Sequence, residues 1–97
     1  MSGKQVLCDK QEIIFTARGQ KGYEDFVVTN EKIRMIQFDK CIENKLWRKI
    51  PSEKITVITS GKTFEYTKLK SEPYFEEYKE ALQKFAQNNR ITLVSNL

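Results

Sequence analysis

Glu12-Ile13-Ile14-Phe15-Thr16-Ala17-Arg18 is the stretch on which the fold turns. Ile13, Phe15 and Ala17 point one way along it and Glu12, Thr16 and Arg18 the other, the period of two of a half-buried strand. Gly19-Gln20-Lys21-Gly22 breaks the pattern, and its two glycines admit a tight turn. A second strand over 23–29 follows, built around Phe26-Val27-Val28. Asn30-Glu31 reads as a hairpin turn into a third strand over 32–38. After the polar stretch 39–45, Leu46-Trp47-Arg48-Lys49-Ile50 predicts a short strand. Pro51 cannot donate to a ladder, so that strand should end there or lie at an edge. A strand over 54–59 is β-branched from Ile55 to Thr59, Ser60-Gly61 turns the chain, and 63–67 alternates once more. Upstream, 5–8 offers an additional short strand.

From Ser71 the period becomes that of a helix. Ser71 suits the N-cap, and Glu72 and Pro73 suit a first turn, where the missing proline N–H is no loss. Phe75, Tyr78, Leu82 and Phe85 then recur at spacings of three, four and three, which makes one apolar stripe. Glu72, Glu76, Glu77 and Glu80 lie toward the positive end of the helix dipole, Lys84 and Arg90 toward the negative end. Asn88-Asn89 should close the helix, leaving 91–94 as a last strand or a strip packed on the sheet. With no repeat or linker, 1–97 reads as a single domain. Strands followed by one terminal amphipathic helix predict an α+β fold: a curled antiparallel sheet or partly open barrel of six to seven strands, capped by one C-terminal helix.

Composition narrows the chemistry. The 97 residues are 39% hydrophobic, enough for one modest core. There is no histidine, so neither a histidine-based catalytic set nor a histidine-ligated metal site can be assembled from this chain alone. Cys8 and Cys41 lack CxxC spacing, which argues for two buried reduced thiols rather than a disulfide framework. The carboxylates are scattered and no metal-ligand spacing occurs. The expectation is a protein that is not an enzyme, with no cofactor and no metal. The opening Met1-Ser2-Gly3-Lys4-Gln5 carries no apolar run, and Ser2 rather than Gly excludes N-myristoylation. The longest apolar runs are three residues, far short of the ~20 that span a bilayer. No leader or anchor is therefore expected, and a reducing cytoplasm is the expected compartment. The bias toward Lys, Ile, Asn and Glu fits an AT-rich bacterial or phage genome.

Three segments carry a resemblance. Gly22-x-x-x-Phe26-Val27-Val28-Thr29-Asn30-Glu31-Lys32-Ile33 resembles the second-to-third-strand hairpin of bacterial pleckstrin-homology-like (PH-like) domains. Ile50-Pro51-Ser52-Glu53-Lys54-Ile55 is similar to the Ile-Pro-x-x-x-Ile segment that precedes a later strand in those domains. The helix over 71–89 is similar to their capping helix. The resemblance covers most of the chain and implies a module that binds lipids, peptides or proteins rather than a catalyst. It also implies where this chain departs from phosphoinositide binders. Arg18 and Lys21 are present, but Glu24 and Asp25 stand where a basic pair is needed, and two carboxylates repel a phosphorylated headgroup.

The most basic stretch is 40–54. Lys40, Lys45, Arg48, Lys49 and Lys54 outnumber Glu43 and Glu53 there, a net +3 within a chain of net +4. Trp47 sits inside it. On a strand, Leu46, Arg48 and Ile50 share one face, and Trp47 and Lys49 the other. One choice of inward face leaves Trp47 exposed among lysines; the other buries it and turns Arg48 outward, and both stay open. The candidate binding residues are Lys45, Trp47, Arg48 and Lys49, together with Arg18 and Lys21 beside the glycine turn. Backbone amides of such a turn can hold an anion, although a plain hairpin connection is the simpler reading. The expected function is a small non-catalytic binding domain acting through a protein partner, as a regulator, an adaptor or a phage-encoded inhibitor of a host factor. The alternative is a sequence-nonspecific nucleic-acid binder using 40–54. Peripheral binding to anionic lipid ranks last, because it needs a protruding apolar loop beside cations and none of the expected loops is apolar. No oligomeric state is read from the sequence.

Overall fold

Phe15, central in the opening stretch, is fully buried and stacks on Phe64, with ring centroids 4.3 Å apart and planes 13° from parallel. That contact joins two sheets. The computed structural model describes residues 4–97. Strands β1 (Val6–Cys8), β2 (Glu12–Gly19) and β3 (Gly22–Thr29) form an antiparallel sheet in that order. Strands β4 (Ile33–Lys45), β5 (Arg48–Thr59), β6 (Thr63–Thr67) and β7 (Leu93–Ser95) form the other, in the order β6-β5-β4-β7. Two helices, α1 (Lys68–Ser71) and α2 (Phe75–Asn89), lie between β6 and β7 in the chain. The fold is α+β, with seven strands in two open sheets and one main C-terminal helix.

Alternation builds the core as expected. Ile13, Phe15 and Val28 from the first sheet meet Ile36, Phe38, Ile55, Val57, Phe64 and Tyr66 from the second. The Tyr66 hydroxyl donates to the Thr16 carbonyl at 3.0 Å, and Lys62 Nζ donates to the Arg18 carbonyl at 2.9 Å while lying over the Phe26 ring. Helix α2 turns its expected stripe (Phe75, Tyr78, Leu82, Phe85) into this core and adds Ala86. The Tyr78 hydroxyl accepts the Gln5 N–H at 2.7 Å. After Asn89 the helix stops as expected, with Arg90 in the left-handed region (φ 57°) and the Ile91 N–H donating back to the Ala86 carbonyl.

Several expectations are corrected. Asn30-Glu31 is not a hairpin turn: Asn30–Lys32 is a 3-10 turn, and β3 and β4 belong to different sheets. The Asn30 side chain donates to Asn89 at the end of α2, so this turn crosses between layers instead of reversing within one. The strands therefore do not make one curled sheet, and they are not all antiparallel, because β7 runs parallel to β4 with Ile36 opposite Leu93. Of the two readings of 91–94 a last strand is the one observed, though it covers Leu93–Ser95 and leaves 91 and 92 outside it. Ser71 does not cap the main helix but is the buried last residue of α1. Glu72, preceding Pro73, is extended (φ −61°, ψ 143°), a restriction proline imposes on its neighbour. The main helix therefore restarts only at Phe75. Cys8 and Cys41 are half-buried rather than core thiols.

The largest correction concerns 39–50. The polar stretch is no loop, because β4 runs unbroken to Lys45, and the expected strand over 46–50 begins at Arg48. Pro51 lies within β5 opposite Ile42. It is tolerated because β6 pairs only with Lys54 to Ile58, so β5 has a hydrogen-bonded neighbour on one side only at Pro51.

The sheet-to-sheet stack should dominate stability. Phe15→Ala is expected to lower the unfolding free energy by about 3–5 kcal/mol, read as a lower urea midpoint.

Candidate functional site

The ladder between β4 and β5 fixes the geometry of the site. It keeps register from Met35 opposite Ile58 to Lys45 opposite Arg48, which leaves two residues, Leu46 and Trp47, to turn the chain. Both have positive φ, 47° and 71°. Positive φ at both central positions is the type I′ form of a two-residue hairpin, whose twist matches that of the strands, and Asn-Gly is the pair that adopts it most readily. For L-residues with side chains that conformation costs roughly 1–2 kcal/mol each. Leu46 and Trp47 gain nothing inside the molecule in return, since they are 79% and 102% exposed. Two large apolar side chains are thus held strained and in water.

The turn stands at the end of an arm. Strand β7 pairs with β4 only over Ile36 to Phe38, and β6 reaches no further along β5 than Lys54. Residues 39–53 therefore continue past both neighbours as a two-stranded ribbon. The tip lies roughly 20 Å beyond the last shared rung at 3.3 Å per residue. One face of the ribbon, with Cys41 and Glu43 opposite Ser52 and Ile50, is half-buried to buried beside the start of α1, while the face of Lys40, Ile42 and Asn44 is open. Its rungs nearest the body are matched by charge, with Asp39 opposite Lys54 and Lys40 opposite Glu53.

Two carboxylates brace it against the body, Glu53 near its base and Glu43 past its midpoint. Glu43, only 9% exposed, accepts a hydrogen bond from the Ser52 hydroxyl and another, at 3.0 Å, from the Leu69 N–H in the first turn of α1. Burial alone would raise its pKa. The bonds from Ser52 and the Leu69 amide, together with the charge of Lys70, outweigh burial and hold the carboxyl below its ordinary value. Glu53 accepts from Lys79 Nζ of α2 at 2.8 Å, which likewise lowers its pKa. Cross-strand partners share a face, so Glu43 and Glu53 grip the ribbon from opposite faces.

Lys45, Trp47, Arg48 and Lys49, expected as site residues, come together here, all exposed. Trp47 is exposed, but not because Leu46 and Ile50 turn inward; it is exposed because it is in the turn. Leu46 and Ile42 (63% exposed) join it as apolar site residues, and Glu43 and Ser52 as positioning residues. Among the described residues, Lys40, Lys45, Arg48 and Lys49 make no ion pair. The expectation that no loop is apolar is overturned, since Leu46-Trp47 is one.

Arg18 and Lys21 belong to the β2–β3 hairpin of the other sheet. Arg18 lines a separate cleft of about 320 Å³ with Tyr23, Glu65 and Lys70, and Lys21 is exposed beside Gly22, whose φ of 118° closes that turn. Burial pushes the Cys8 thiol up to about 11, which leaves it a poor nucleophile. Among the described residues no three metal-ligating side chains converge, and no helix is long and apolar enough to cross a membrane. Compared with protein-family models, curated proteins and solved structures, the chain matches none of them.

Replacing the turn by its preferred pair, Leu46→Asn with Trp47→Gly, should raise stability by about 1–3 kcal/mol, seen as a higher melting temperature. Because the folded pKa of Glu43 lies below the unfolded one, its bonds add stability at pH values above the ordinary carboxylate range. They lose it as pH falls through the lowered folded value. Glu43→Ala should cost about 1–3 kcal/mol at neutral pH, with the deficit shrinking in acid, as measured by urea unfolding across pH.

Proposed function

We propose that this chain is a non-catalytic binding module of the PH-like type and that the β4–β5 arm is its contact element. The observation that carries the reading is the exposed, positive-φ Leu46-Trp47 turn. Strain held at a surface without internal return points to a role outside the molecule. The cations around the tip require a partner with negative charge surrounding an apolar receptor. In a protein partner that is an acidic-rimmed pocket, filled by the Trp and Arg types that dominate interface hot spots. The nucleic-acid alternative draws on the same Trp47 and cations, as a stacking platform flanked by phosphate contacts. Two sheets with a terminal helix and seven strands are compatible with the PH-like assignment, and the scattered carboxylates and poorly nucleophilic Cys8 favour contact over catalysis.

A photo-cross-linking residue at position 47, with another at exposed Glu31 as control, tests the arm in producing cells. Adducts that form at 47 and not at 31 are expected. Equal or absent labelling at the two positions would remove the arm as the contact element.

A further inference from the structure

We infer that the tip of the arm inserts into the interface of an anionic lipid bilayer. Leu46 and Trp47 enter the boundary between headgroups and acyl chains, while Lys45, Arg48 and Lys49 meet lipid phosphates. This rests on the arm being the contact element and names the surface that it meets; it uses no headgroup pocket.

The distribution of charge favours a surface entered tip-first over a groove that receives the ribbon side-on. From the register, Lys45 and Arg48 lie on one face of the ribbon, and Lys49, opposite Asn44, on the other. A protein groove that receives the ribbon side-on matches one face. A bilayer entered tip-first surrounds both. Depth agrees as well. At 3.3 Å per residue these cations sit roughly 3–7 Å behind the turn, while apolar faces of interfacial segments sink about 5–10 Å into the headgroup boundary. Cations one or two residues behind the tip therefore reach the phosphates, and their stems can snorkel. The residue types fit too, because an indole is at home at a membrane interface, one end apolar and the other wet.

Size counts against the other partners. Stable protein interfaces bury about 800 Å² per partner. Behind the two apolar residues of the tip come Asn44, Lys45, Arg48 and Lys49, so no further apolar side chain follows until Ile42 and the half-buried Ile50. For nucleic acid, three cations at the tip and Lys40 further back release few counterions, fewer than a binder with roughly 6–10 phosphate contacts. The two carboxylates in 40–54, Glu43 and Glu53, are bonded into the body, so they do not repel anionic lipid from the tip.

The only tryptophan in the chain is Trp47, so intrinsic fluorescence reports the tip alone. The full chain is titrated with vesicles of phosphatidylcholine mixed with phosphatidylglycerol, and with phosphatidylcholine alone. Anionic vesicles should shift the emission to the blue, and brominated acyl chains should quench it. Co-sedimentation should fall at least about tenfold when salt rises from 0.1 to 1 M, as the screening length shrinks from about 10 to 3 Å. The Leu46→Asn, Trp47→Gly variant, whose fold is checked by its expected higher melting temperature, should lose vesicle binding in the same assay, and Lys45→Glu with Arg48→Glu should do likewise. Absence of a blue shift with anionic vesicles, or binding that the tip variant retains, overturns the proposal. If vesicles fail while position 47 cross-links to protein or nucleic acid, the bilayer is wrong and the arm reading stands; if position 47 cross-links to nothing, the arm reading itself fails.

Discussion

The β4–β5 ladder is the constraint on which the rest of the molecule depends. One continuous register does two different jobs. Its first half carries Ile36, Phe38, Ile55 and Val57 into the core, where the aromatic stack of the two sheets and helix α2 bury them. Its second half has no core to enter, yet the same backbone hydrogen bonds carry it outward. The position of the tip is therefore set by the body. A slip of one residue would reverse every inward side chain, which the buried half forbids. The turn at Leu46 and Trp47 is where the register leaves the chain no other choice.

A two-stranded ribbon is marginal by itself in water, and this one is held to the body near its base and again past its midpoint. Glu43 gathers the Ser52 hydroxyl and the start of α1 on one face, and Glu53 reaches Lys79 of α2 on the other. Both acids are consumed by these bonds, which has an electrostatic consequence. The acidic residues of the arm act as fasteners, and its free charge is positive. Composition alone gives net +3 to 40–54; structure divides that sum into an internally bonded negative part and an exposed positive one.

How far the sequence revealed this follows the apolar pattern. The strand over 12–18, the stripe on α2 and the end of the helix at Asn89 were legible because buried faces leave periodic residues. The layer crossing at Asn30 was not, since Thr-Asn-Glu suits a reversal and a 3-10 crossing equally well, and the bond from Asn30 to Asn89 spans 59 positions. The arm was legible as a basic stretch with a tryptophan but not as an arm. Its covered face is made of Cys41, Glu43 and Ser52 rather than of large apolar residues, so it leaves no hydrophobic period, and Asp39 opposite Lys54 is a pairing visible only once the register is known. The turn was hidden for a different reason. Leu-Trp carries none of the Asn, Asp or Gly that mark a two-residue hairpin, so apolar residues beside Ile50 read as a strand. Local preference and global register disagree at that turn, and it is there that the most exposed apolar residues lie.

An indole displayed in water at the end of a rigid arm is the centre of this picture. Acrylamide quenching of tryptophan emission in the free protein tests it most directly. The predicted result is quenching as efficient as that of a free tryptophan derivative, with emission at the wavelength seen in water. A blue-shifted band shielded from acrylamide would contradict it, because Trp47 would then be packed against the body and the turn would have an internal reason for its strain.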